Sequence, residues 1–158
     1  YPVAISLANP IAPCSNSAVI SATVTLSAGE TGAVVAAVST KGAPTAEVYP
    51  LNLASVGAGK QRFMVAHAAD APPVRVTAVS TSGGSVEKAG FGLTPGTEQS
   101  VTVPARGSFE LSAKTGAGAV IGPVSVTVGN QAVTAVFAVG SAATGSAQLL
   151  TKVIPDVE

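Results

Sequence analysis

Ser125-Val126-Thr127-Val128-Gly129-Asn130 sets valine at every second position and closes on a turn signal, and its reading decides the fold. Successive side chains of a strand point to opposite faces, so valine alternating with hydroxyl residues describes a strand with one buried and one wetted face. Thr23-Val24-Thr25-Leu26 carries the same apolar phase. Outward from these two stretches the chain continues as short runs of Val, Ile, Leu or Phe alternating with Thr, Ser or small residues, bounded by Gly, Pro and Asn, and helical periodicity is nearly absent. Strands are expected near residues 3–7, 18–27, 33–39, 46–51, 62–67, 74–79, 86–91, 98–103, 108–113, 120–128, 132–139 and 147–154. Pro95-Gly96-Thr97 and Gly129-Asn130 supply tight turns. Strands with two unlike faces at this spacing predict an all-β, immunoglobulin-like sandwich.

An internal repeat sets the organisation. Ala18-Val19-Ile20, Thr23-Val24-Thr25-Leu26, Gly29 and Val34-Val35-Ala36 recur as Ala119-Val120-Ile121, Ser125-Val126-Thr127-Val128, Gly129 and Val136-Phe137-Ala138. Backwards, Val3-Ala4-Ile5-Ser6-Leu7 matches Phe109-Glu110-Leu111-Ser112-Ala113, with a longer loop around Cys14 absorbing the difference. The chain therefore reads as a partial repeat over residues 1–52, a Gly/Ala/Ser-rich linker over 53–60 and a complete repeat over 61–158, the first copy lacking a counterpart to roughly residues 61–106. Half a sandwich cannot cover its own apolar face, so another part of the molecule or a neighbour must do so.

Composition narrows the setting. Of 158 residues 10 % are charged, against roughly 25 % in an average soluble domain. Eight basic and eight acidic residues leave a formal net charge of zero, which gathers neither nucleic acid nor anionic lipid and favours self-association. Ala33 to Val38, the longest uninterrupted apolar run, is far shorter than the roughly 20 residues of a spanning helix, so no membrane span is expected. The amino end shows no basic segment followed by an apolar one, so any signal peptide is read as already removed. An extracellular or cell-surface setting is expected. Cys14 stands alone in an Asn/Pro/Ser-rich stretch, which leaves a disulfide between molecules or a quiet thiol.

Arg62-Phe63-Met64-Val65-Ala66-His67-Ala68-Ala69-Asp70-Ala71-Pro72-Pro73-Val74 resembles the opening of a bacterial and archaeal family known as domain of unknown function 4397. Its signature there is an apolar strand followed by His-Ala-Ser-Pro-Asp-Ala-Pro; His67, Asp70, Ala71 and Pro72 match it, and Ala69 replaces its first proline. Gly90-Phe91-Gly92, Val101-Thr102-Val103-Pro104-Ala105, Ala135-Val136-Phe137-Ala138-Val139 and Gln148-Leu149-Leu150 fit the later pattern. The resemblance covers residues 60–156, with 1–51 as the second half of a preceding copy. It implies a small β-sandwich of secreted or surface-anchored proteins, often in tandem, without enzymatic activity.

Chemistry-bearing residues are few. His67 is the only histidine and Asp70 lies just beyond it, which suggests an acid–base pair or metal ligands, but no second histidine or cysteine cluster accompanies them. The expected role is a structural turn: Asp70 caps the turn that follows, His67 hydrogen-bonds to hold the loop, and Pro72 stiffens it. Gly-x-Ser-x-Gly is absent, and the glycines at 57–59 and 116–118 lack the Lys-Ser/Thr ending of a phosphate loop. Asp156 and Glu158 could join Asp70 around calcium, but at too low a density of oxygen ligands. No cofactor or metal is therefore expected. Tyr1, Tyr49, Phe63, Phe91, Phe109 and Phe137 are too dispersed for a stacking platform and read as core anchors. These features together predict a homo-oligomeric or polymeric structural subunit, a filament or surface layer joined by strand pairing; a cell-surface adhesion module presenting loops to a ligand is the alternative.

Overall fold

Each alternating run forms a strand: β1 (Pro2–Ser6), β2 (Ala18–Thr23), β3 (Gly32–Val38), β4 (Pro44–Pro50), β5 (Lys60–His67), β6 (Val74–Ser80), β7 (Lys88–Leu93), β8 (Glu98–Pro104), β9 (Ser108–Thr115), β10 (Val120–Thr127), β11 (Val133–Val139) and β12 (Gln148–Ile154). The computed structural model describes residues 1–12, 15–39, 42–80, 88–105, 107–127 and 129–155, and no helix occurs among them. Cys14, Val86, Val128, Asp156 and Glu158 lie outside the described residues. The second strand is shorter than its alternation suggests. It ends at Thr23, and the chain then turns through Gly29 at φ 83°, a conformation costly to any residue with a Cβ.

Residues from β5 onward build two four-stranded sheets, β12-β11-β5-β8 and β10-β9-β6-β7. All their pairings are antiparallel except β11 with β5. Phe63, Val65, Val136 and Ala138 of one sheet face Val74, Val76, Phe109 and Leu111 of the other across a sealed core. Phe63 meets Phe109 edge-on with ring centroids 5.3 Å apart. Each large apolar side chain buried this way contributes about 1.5–3 kcal/mol. Tyr1, by contrast, is 75 % exposed and anchors no core.

Residues 1–50 repeat half of this plan. β1 pairs with β2 as β9 pairs with β10, β3 pairs with β4 as β11 pairs with β12, and β2 lies against β4 as β10 lies against β12. What the complete sandwich adds is β5 beside β11 and β6 beside β9. The matching edges of β3 and β1 carry no strand among the described residues.

The requirement that something cover the half sandwich is met on one side only. Val35, Ala37 and Tyr49, with Ala33 and Leu51, pack on Met64, Ala66, Ala68, Ala135, Phe137 and Val139, the outer face of β5 and β11. Alanines on both surfaces let the sheets approach closely. The inner face stays open: Val34 is 40 % and Val48 41 % exposed, whereas Val136, the repeat counterpart of Val34, is 0 % exposed.

The linker's Gly/Ala/Ser composition permits packing within the molecule or on a neighbour, and Val56 is buried against Val133, with Leu53 and Ile154 alongside. Arg62 Nη1 donates to the carbonyls of Asn52 and Ala54, at 3.0 and 2.9 Å, and pins the segment to β5. One valine and one arginine override the local freedom of the glycines.

Candidate functional site

His67 ends β5 with its ring buried. Its Nε2 lies 3.1 Å from the Pro72 carbonyl, which can only accept, so Nε2 carries the proton and donates. The bond closes the 68–72 loop onto the strand. Nδ1 is buried without a hydrogen-bond partner. The His67 carbonyl accepts from Gly96 N at 2.8 Å, within a turn where Thr97 N bonds the Thr94 carbonyl and Gly96 takes φ 79°.

Asp70 reaches further than the turn cap expected of it. Its Oδ2 accepts from Ser141 Oγ at 3.1 Å, while its amide donates to the Gly140 carbonyl and its carbonyl accepts from Ala142 N. The loop is thereby laced to the β11–β12 connection, 71 residues away. Gly140, at φ 85°, belongs to this lacing, since a Cβ there would collide with the Ser146 carbonyl. His67, Asp70 and Pro72 thus share one corner of the fold. Among the described residues no nucleophile or second titratable group hydrogen-bonds to the His67 ring in the manner of a catalytic pair. Among the described residues no group of three or more His, Cys, Asp or Glu could hold a metal ion.

Tyr49, which the alternation in β4 marks only as an apolar anchor, joins the two halves. Its hydroxyl lies 3.2 Å from the His67 carbonyl and in short contact with Glu47 Oε2. Burial first, then the Glu47 carboxylate as hydrogen-bond partner and charge, then the Glu98 charge, push its ionisation well above the usual phenol range.

A second feature needed the register to be seen. β6 and β9 place Arg75 directly opposite Lys114, and β7 places Gly92 opposite Arg75. Like charges face to face in a sheet are destabilising unless an anion lies between them. No described acidic group is bonded or paired to either. Glu110, the acid on β9, stands four residues before Lys114, about 13 Å along the strand. The pair borders an open hollow of about 690 Å³ whose lining includes Thr77, Thr94, Thr97 and Gly92. Gly90 and Gly92 put no side chain on the outer face of β7 at their positions, and the Arg75 guanidinium lies across Gly90, Nη2 being 3.6 Å from where a Cβ would stand.

The geometry defines an all-β chain: one complete sandwich with a half sandwich docked on its back. No protein-family model matches the chain, and no curated protein matches it. Among solved structures, the T6SS lipoprotein TssJ1 from Pseudomonas aeruginosa is similar over 63 % of this chain and 99 % of its own, at 14 % identity and a TM-score of 0.43. A likeness that distant carries no role across.

Proposed function

We propose that the chain is a non-catalytic structural subunit of an extracellular or cell-surface assembly, joined to neighbouring subunits by β-strand pairing. The observation that carries this reading is the inner face of residues 1–50, where strand edges free of a partner among the described residues flank the exposed Val34, whose counterpart Val136 the complete sandwich seals. Open, flat, apolar edges template pairing with another chain unless charge or proline blunts them. The free edge of β3 bears neither, running Gly-Ala-Val-Val-Ala-Ala-Val. Zero net charge removes the long-range repulsion that would hold subunits apart. Sedimentation and electron micrographs of the purified chain over a wide concentration range test this. Assemblies that Val34→Asp dissolves are expected, and monomers at every concentration would refute it.

A second reading is favoured by the Arg75–Lys114 pair: a surface-binding module that takes a carboxylate-bearing ligand in the hollow between β6, β7 and β9. A monomer would then bind an acidic glycan saturably and salt-dependently, and Arg75→Ala with Lys114→Ala would abolish binding without lowering stability.

A further inference from the structure

We infer that residues 1–50 form a receptor for two further strands, one parallel to β3 along its free edge and one antiparallel to β1, supplied by a polypeptide segment with the chemistry of this chain's own residues 60–104. This rests on the proposed strand-pairing role and names its occupant.

The complete repeat is the template. There β5 lies parallel to β11 with Val65 opposite Val136, and β6 lies antiparallel to β9 with Ala78 opposite Leu111 and Ser80 opposite Phe109. Carried through the repeat, which sets Val34 with Val136, and through the pairing of β1, where Tyr1 faces Val24 as Phe109 faces Val126 and Ile5 faces Ile20 as Ala113 faces Ile121, so that Val3 stands with Leu111, these pairings fix the donor's register. Its Val65-like residue lies opposite Val34, its Ala78-like residue opposite Val3 and its Ser80-like residue opposite Tyr1.

Burial follows the same correspondence. Val136, Ala138, Phe109 and Leu111 are buried under β5 and β6. Their counterparts Val34, Ala36 and Tyr1 are exposed, and Val3 is half-buried. Ile20 and Val24 are already buried, as are Ile121 and Val126, because β2 lies against β4 and β10 against β12 in both copies. The deficit is thus confined to the side where β5 and β6 would stand. Aromatic pairing adds a preference. Tyr1 stands where Phe109 stands in the complete core, so a donor aromatic at the Phe63 position would find a second ring to meet.

An intact second copy cannot be the donor. Its β5 is held between β11 and β8 and its β6 between β9 and β7, so the occupant is a free segment of that type.

The test is the full chain carrying an extra copy of residues 60–108 fused ahead of Tyr1, the position that corresponds to Phe109. Amide exchange in β1 and β3 should slow roughly tenfold or more. Val34→Asp should lower the melting temperature of the fusion by roughly 10 °C while leaving that of the unfused chain unchanged. Unchanged exchange in β1 and β3 with the added segment left protease-sensitive would overturn the inference. If the fusion is insoluble, a synthetic peptide of residues 60–80 added to the unmodified chain decides: protection of residues 32–38 supports the receptor, and none overturns it. An unfused chain that stays monomeric while the fusion gains protection refutes assembly but upholds the receptor. An unfused chain whose assemblies survive fusion upholds assembly and overturns the receptor.

Discussion

Tyr49→Ala is expected to loosen β3 and β4 from the complete sandwich while leaving that sandwich folded. The side chain is 2 % exposed, its ring stands 6.3 Å from that of Phe137, and its hydroxyl meets the His67 carbonyl. Truncating a buried aromatic to alanine costs about 3–5 kcal/mol, and the lost hydrogen bond adds about 1 kcal/mol. A two-stranded hairpin alone in water is marginal, so docking supplies most of what holds these strands. A loss of about 4 kcal/mol corresponds to roughly a thousandfold faster exchange of the amides that open when the hairpin detaches. Tyr49→Phe keeps the ring and loses only the hydroxyl, about 1 kcal/mol, or roughly fivefold. Hydrogen exchange read by mass spectrometry resolves both, with peptides from β6 and β9 as the internal reference. Exchange in β3 and β4 within about twofold of the parent in Tyr49→Ala, or an equal rise in β6 and β9, would refute the reasoning.

Thr134 is fully buried and its hydroxyl has no protein hydrogen-bond partner, so Thr134→Val should stabilise the chain by about 1 kcal/mol and raise its melting temperature by roughly 2–4 °C. A lower melting temperature would show that the hydroxyl is satisfied. His67→Ala removes the bond to the Pro72 carbonyl and leaves a hole at the end of β5; a loss of about 2–4 kcal/mol in urea unfolding is expected, and an unchanged midpoint would sink its structural role. The folded state raises the ionisation of Tyr49 above its unfolded value of about 10, so its contribution is complete below that pH and is lost as the solution becomes more alkaline. Stability that stays flat from pH 9 to beyond 11, apart from a decline shared by Tyr49→Phe, would contradict this.

The strands were legible because period-two alternation is written into each of them. Val124 and Val126 alternate with Ser125 and Thr127 whether or not anything is known of the partner strand. The docking of the two halves was not legible. Its surface is made of Ala33, Ala37, Ala66, Ala68 and Ala135, which look in sequence like spacers and become an interface only when two sheets are brought close. Tyr49 carried an apolar signal, but its reach to the His67 carbonyl crosses 18 positions and has no local signature. The Arg75–Lys114 pairing depends on register, which alternation leaves open by any even number of residues. Asp70 and Ser141 meet only because the parallel pairing of β5 with β11 continues into the corner loops.

The contact between the halves uses matching positions from each copy: Ala33 and Ala135, Val35 and Phe137, Ala37 and Val139 all lie in the one cluster. Beside those positions the two sides differ, Tyr49 and Leu51 on one and Met64, Ala66 and Ala68 on the other, and the junction once made is buried and offers no further surface for propagation. Any longer array of these modules must therefore alternate two unlike joints, a sealed one back to back and an open one at strand edges. Its repeating unit would be a pair, with a periodicity twice that of a single module.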